Sequence, residues 1–149
     1  MRAGVIEQIG VPLDVYDNPV NLFVAEFIGS PAMNLIHGTV LLSSGRPILQ
    51  TDNGSEILLP ARDGLRDGQS VIFGIRPEHM SLEKEDGIST ALSVVEPTGP
   101  EIHLYCAFEG RDLCAITKVR RDYTPGEAIT LTPDLERAHV FDAASGVAV

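Results

Sequence analysis

From residue 34 onward, turn signals recur at roughly ten-residue spacing, and this spacing limits what the chain can fold into. Short apolar runs at His37–Leu42, Pro47–Thr51, Glu56–Leu59 and Ser70–Arg76 are separated by Ser43-Ser44-Gly45-Arg46, Asp52-Asn53-Gly54 and Ala61–Gly68. Further runs follow at Ser89–Val95, Ile102–Phe108, Leu113–Val119, Ala128–Leu131 and Ala138–Phe141. Val71, Phe73 and Ile75 alternate onto one face, as a half-buried strand requires. Asp52-Asn53-Gly54 and Glu109-Gly110-Arg111 read as hairpin connections. No long helical period appears after residue 34. The expectation is an all-β fold, a small sandwich or barrel. Two barrel-like halves, about 35–85 and 86–149, would account for the number of strands.

The first 33 residues have a different texture. Ala3–Ile9 is compatible with a short strand. Val11–Tyr16 reads as a helix, with Pro12 at its first position and Asp14 in its first turn. Asp17-Asn18-Pro19 breaks it. Val20–Ile28 then places Leu22, Phe23 and Phe27 on an apolar helical face that Ala25 and Ile28 widen. Gly29-Ser30-Pro31 ends that helix. The expected organisation is residues 1–33 as a strand with two short helices, and residues 34–149 as the β domain. The helical apolar face is expected to dock on the barrel or on a second copy of the chain.

Composition narrows the function. At 149 residues with 44% hydrophobic content the chain can bury one core. Its 21 acidic residues against 11 basic ones give a net charge of -10, which repels a phosphate backbone, so no nucleic-acid partner is expected. No run reaches the roughly 18 apolar residues of a membrane span, and no signal-peptide pattern opens the chain. Cytoplasmic residence is the expectation.

Motifs for chemistry are missing from the sequence. There is no Gly-x-x-x-x-Gly-Lys-Ser/Thr loop, no Gly-x-Ser-x-Gly elbow and no His-Glu-x-x-His. The four histidines, His37, His79, His103 and His139, are far apart in sequence. Glu83, Glu85 and Asp86 read as a solvated turn. Cys106 and Cys114 flank the 109–111 turn and could sit nearly opposite each other. As a pair they would be a redox couple; singly they are two small buried thiols in a reducing compartment, and the second reading is preferred. No catalytic, cofactor-binding or metal-binding residue is assigned.

The densest signal is Phe73-Gly74-Ile75-Arg76-Pro77-Glu78-His79. A strand delivers Arg76, Glu78 and His79 at its end, where Pro77 cannot donate to a ladder. The planar fork of Arg76 could clamp a carboxylate of its own chain or of a partner.

This heptad resembles the Gly-Ile-Arg-Pro-Glu-His hallmark of the C-terminal regulatory domain (transport-associated OB, or TOBE, domain) of sugar- and glycerol-3-phosphate-type ABC importer ATPases. The stretch from Gly4 to Asn34, ending Gly29-Ser30-Pro31-Ala32-Met33-Asn34, is similar to the passage from the nucleotide-binding domain into that domain. Val94–Tyr105, with Glu96 and Gly99, and His139-Val140-Phe141-Asp142 before Gly146 are similar to its second-half and closing segments. Pro100 and Val11 before Pro12 depart from the usual pattern.

The resemblance implies an OB-like, MOP-like barrel, with residues 1–33 left from the nucleotide-binding domain. It implies a regulatory and dimer-holding role, with a small-ligand module for an oxyanion or sugar as the alternative. ATP and Mg would belong to the parent ATPase and not to this chain. The implied partners are a second copy, permease subunits reached through the ATPase domain, and an inhibitory effector protein, at the inner face of the membrane. Implied interaction residues are Arg76, Pro77, Glu78, His79, Glu96, Gly99, Phe141 and Asp142. Implied domain-junction residues are Phe23, Phe27, Gly29, Ser30, Pro31 and Asn34.

Overall fold

A computed structural model describes residues 3–42, 45–82 and 85–149. The Ser43-Ser44 part of one expected turn, and Glu83, lie outside the described residues. The chain is almost entirely β after residue 33, as the turn spacing predicts. Its strands are β1 (Asn34–Leu41), β2 (Ile48–Gln50), β3 (Glu56–Leu58), β4 (Ser70–Ile75), β5 (Met80–Leu82), β6 (Ile88–Pro97), β7 (Ile102–Phe108), β8 (Arg111–Thr117), β9 (Ala128–Pro133) and β10 (His139–Asp142). They form two antiparallel five-stranded sheets, ordered β10-β4-β1-β2-β3 and β5-β9-β6-β7-β8.

The sheets do not follow the two expected sequence halves. β5, from the first half, pairs with β9, and β10, the last strand, pairs with β4. Each sheet therefore borrows a strand from the other half. A single core lies between them, with Val40, Leu49, Val71 and Phe73 from one sheet facing Leu92, Leu104, Cys106, Ile129 and Leu131 from the other. β5 was not legible as a strand, because three residues directly after a 3₁₀ turn at Pro77–His79 carry no period of their own.

The β7–β8 hairpin turns at Glu109 and Gly110, both at positive φ (48° and 80°), as a two-residue connection demands. That turn fixes the register. Cys106 stands opposite Leu113, and Cys114 opposite Tyr105. The two cysteines are thus one position out of phase, on opposite faces of the sheet. Both are free and buried. Burial pushes the Cys106 thiol up and the Cys114 thiol up to about 11.

Residues 3–9 belong to neither sheet, contrary to the expected strand. No strand element spans them, and Val5, Ile6 and Ile9 are exposed. Val5 makes an isolated bridge that does not extend into a ladder. Two short helices follow, α1 (Pro12–Asp17) and α2 (Leu22–Phe27). Pro12 opens α1 as expected, with Val11 as its N-cap. α2 starts two residues later than the Pro19 break suggests, because the Asn21 side chain caps it by accepting from the Val24 N–H at 3.0 Å.

Candidate functional site

α2 covers the outer face of the first sheet. Ala25, Met33, Ile72 and Phe141 form a second, small cluster, with Leu22 and Leu35 at its edge. The docked face is therefore Leu22/Ala25. Phe23 and Phe27 stack on each other at 6.0 Å, and Phe27 is 76% exposed. The expected docking face was Leu22, Phe23, Phe27 and Ile28. The helix is rotated because small Ala25 lets its backbone approach Phe141, and two phenylalanines at that contact would hold it away.

Arg76 sits beneath this helical hairpin and is only 1% exposed. Its fork takes backbone carbonyls and not a carboxylate. Nη1 donates to Ile28 O and, at 3.4 Å, to Ala25 O; Nη2 donates to Tyr16 O at 3.1 Å. Tyr16 lies in the last turn of α1, and Ala25 and Ile28 end α2. Carbonyls in a last helical turn have no intrahelical donor and carry the negative end of the helix dipole. One guanidinium thus closes two helix C-termini at once.

The Tyr16 ring lies under the guanidinium carbon at 4.1 Å, a cation–π contact. Its hydroxyl donates to Glu78 Oε1. Burial, then the hydrogen bond to Glu78, holds the Tyr16 phenol up to about 12. Burial lowers the pKa of Arg76, and the nearby Tyr16 and Glu78 oppose that shift. Gly29 completes the arrangement. Its φ is +107°, and a Cβ there would meet Arg76 Nη1 at 2.8 Å and the Tyr16 ring at 3.2 Å.

The structure therefore brings together two groups that the sequence left separate, the Arg76–His79 turn and the Gly29 junction. Pro77 is buried and Glu78 exposed. His79 anchors the turn through its backbone, donating to Arg76 O and accepting from the Asp134 N–H. Ser30–Pro31 is a cis bond leading into β1. Asn34 is buried and bridges the two sheets: its carboxamide donates to Cys114 O and accepts from Cys114 N–H, both at 2.8 Å.

Other sequence candidates fall elsewhere. Phe141 is fully buried under α2. Asp142 shapes the final turn, accepting from the Ser145 N–H, the Ala144 N–H and Gln69 Nε2, and these bonds hold its carboxyl below the usual range. Glu96 and Gly99 are exposed at the far tip of the β6–β7 hairpin, where Gly99 O accepts from Arg120 Nη2 at 2.8 Å. They do not join the Arg76 site. Sequence reasoning missed Tyr16, since nothing local marks a tyrosine that finds its partners 60 residues away. It also missed Val147, Ala148 and Val149, which with Gly146 end the chain.

Those residues form a narrow strap. Asp142 N–H donates to Val147 O and Val149 N–H to Val140 O, so the strap lies along β10. On its other side, Ala148 N–H donates to Val20 O and Leu22 N–H to Gly146 O. His139, on β10, is pushed down to about 4, first by burial and then by the positive charges of Arg76 and Arg62. Among the described residues, no group of three or more His, Cys, Asp or Glu could hold a metal, and no helix is long and apolar enough to cross a membrane.

Comparison with known proteins agrees with this architecture. Residues 29–80 match the MalK OB fold domain, and residues 73–141 match the TOBE domain. An uncharacterized ABC transporter ATP-binding protein of Sinorhizobium fredii is 44% identical over 149 residues, covering 100% of this chain and 40% of the relative. A putative ATP-binding protein of Brucella abortus is 40% identical, over 99% of this chain and 41% of its own length. The uncharacterized ABC transporter ATP-binding protein YcjV of Escherichia coli is 36% identical, over 100% of this chain and 42% of its own length. The chain thus spans about 40% of the length of the curated relatives it matches. Among solved structures, the cytoplasmic molybdate-binding protein ModG superposes with a TM-score of 0.58 at 11% identity, over 72% of this chain and 94% of ModG. That likeness speaks for the OB-like fold alone. The two domain families match in chain order over a strand set that closes around one core; the chain belongs to the OB-fold/TOBE family found in ABC transporter ATP-binding proteins.

Proposed function

We propose that this chain is the regulatory and dimer-holding domain of the ATP-binding subunit of a carbohydrate-type ABC importer, and that it hydrolyses no ATP itself. Residues 34–149 are the regulatory barrel, and residues 1–33 are the end of the nucleotide-binding domain. ATP and Mg belong to the parent subunit. The partners are a second copy, permease subunits reached through the ATPase domain, and an inhibitory effector, at the cytoplasmic face of the membrane.

The observation that carries this reading is an asymmetric surface. Among the described residues, most exposed large apolar side chains precede residue 28: Val5, Ile6, Ile9, Val11, Leu13, Val20 and Phe27. On the barrel such side chains are fewer and scattered: Leu42, Val94, Val119 and Val147. An apolar surface concentrated on one short segment is what a contact with a further domain leaves behind. The mechanism is mechanical. Two barrels held together keep two ATPase subunits paired, and an effector that prefers one arrangement shifts the equilibrium by its differential affinity.

Sedimentation of the chain, with an ATPase assay alongside, tests this. Self-association without ATP turnover supports the reading; a monomer at all concentrations, or turnover above a protein-free blank, overturns it.

A ligand-binding module is the second reading, prompted by the fold shared with a molybdate-binding protein. Several arginines of the kind that receives an oxyanion are already engaged: Arg76 and Arg111 on carbonyls, and Arg121 on Glu127. Calorimetry with molybdate, phosphate and a sugar panel separates the two readings, since saturable heat would favour the second.

A further inference from the structure

The helical hairpin rests on very little apolar contact. α1 buries no residue, and α2 buries only Val24 and Ala25. Pro19 between the helices is also buried and Leu22 is half-buried, yet burial of these few modest side chains does not account for a hairpin held in one orientation. Two polar fastenings do. The Arg76 fork closes the C-terminal ends of both helices. The C-terminal strap binds the segment before α2 through Ala148 N–H to Val20 O and Leu22 N–H to Gly146 O. The fastenings share no residue and grip the hairpin at opposite ends of α2.

We infer that residues 11–28 form a separately releasable module, and that Arg76 and the C-terminal strap together act as a two-point clamp that sets whether it is docked on the barrel. The barrel does not depend on the module, because its core lies between the two sheets and takes no residue from either helix. The module does depend on the barrel, because isolated helices of six residues are not stable in water. Opening is therefore local, below the free energy of global unfolding. Arg76 follows β4 directly, and the strap lies on β10, so both fastenings sit on neighbouring strands of one sheet. A displacement of the helices reaches the barrel there.

Amide hydrogen exchange on the full chain tests the clamp. The reporters are the helical amides of Asn18, Ala25 and Ile28, against amides of β4, β6 and β7 in the barrel. Arg76→Met removes the fork while keeping an apolar side chain of similar length. Ala148→Pro removes the single N–H that donates to Val20. The expected result is at least tenfold faster exchange across 11–28 in each variant, with barrel amides unchanged within twofold. Unchanged exchange across 11–28 in both variants overturns the clamp. Equal acceleration of helix and barrel amides also overturns it, since the hairpin would then be part of one cooperative unit. If Arg76→Met does not fold, Ala148→Pro carries the same decision from the surface.

Discussion

Arg76 decides more than any other residue in this chain. A buried guanidinium normally demands a carboxylate, because an uncompensated charge in the interior is costly. Here the carbonyl ends of two helices and a tyrosine ring take that role, and Glu78 is reached through the Tyr16 hydroxyl. Gly29 is the position most sensitive to this arrangement. Gly29→Ala combines a disfavoured φ with a collision at Arg76 Nη1, so docking of the hairpin weakens by about 1–3 kcal/mol, measured as faster exchange at Ile28. Asn34 gives a second test. Asn34→Ala leaves the Cys114 N–H and C=O unpartnered and costs about 1–3 kcal/mol in denaturant unfolding. Asn34→Asp puts a buried carboxylate against Cys114 O and costs more at neutral pH. Burial raises the pKa of that carboxyl, and once protonated it regains a donor, so its deficit shrinks as pH falls. A deficit that grows as pH falls contradicts the bridge.

Among the elements, β10 carries the clearest pH dependence. His139 is held neutral, with its pKa lowered from 6.5 to about 4. The unfolded chain binds that proton first. Its contribution to stability is complete above about pH 6.5 and is lost as pH falls toward 4, with a slope of at most about 1.4 kcal/mol per pH unit. Thermal unfolding of the parent and His139→Gln at pH 7.5 and pH 5 should show a smaller drop for the variant; an equal drop contradicts this assignment. Glu127 and Asp142, whose pKa values are lowered by hydrogen bonds, add their losses at lower pH. The β7–β8 hairpin makes a separate prediction. Its register puts Cys106 and Cys114 on opposite faces, so mild oxidant should form no intramolecular disulfide, and thiol reagents should label neither cysteine until the chain unfolds.

For the whole molecule, most strands were legible in the sequence because turn chemistry is local. Glu109-Gly110 and Asp52-Asn53-Gly54 announce their hairpins directly, and Val71, Phe73 and Ile75 fall on the inner face their alternation predicts. What the sequence hid is non-local. The exchange of β5 and β10 between the sheets depends on pairings between distant segments. The rotation of α2 depends on which side chain fits over Phe141, and a helical period alone cannot distinguish Ala25 from Phe27 as the contact. The motif around Arg76 was visible, yet its partners were not, since backbone carbonyls leave no signature in a sequence. At this scale the proposed barrel works as part of a larger ATP-binding subunit. An immunoblot of cells that make this chain, with antibody raised against residues 34–149, tests it most directly. A band well above 16.0 kDa is expected. A sole band at 16.0 kDa would contradict it and mark a free-standing barrel protein.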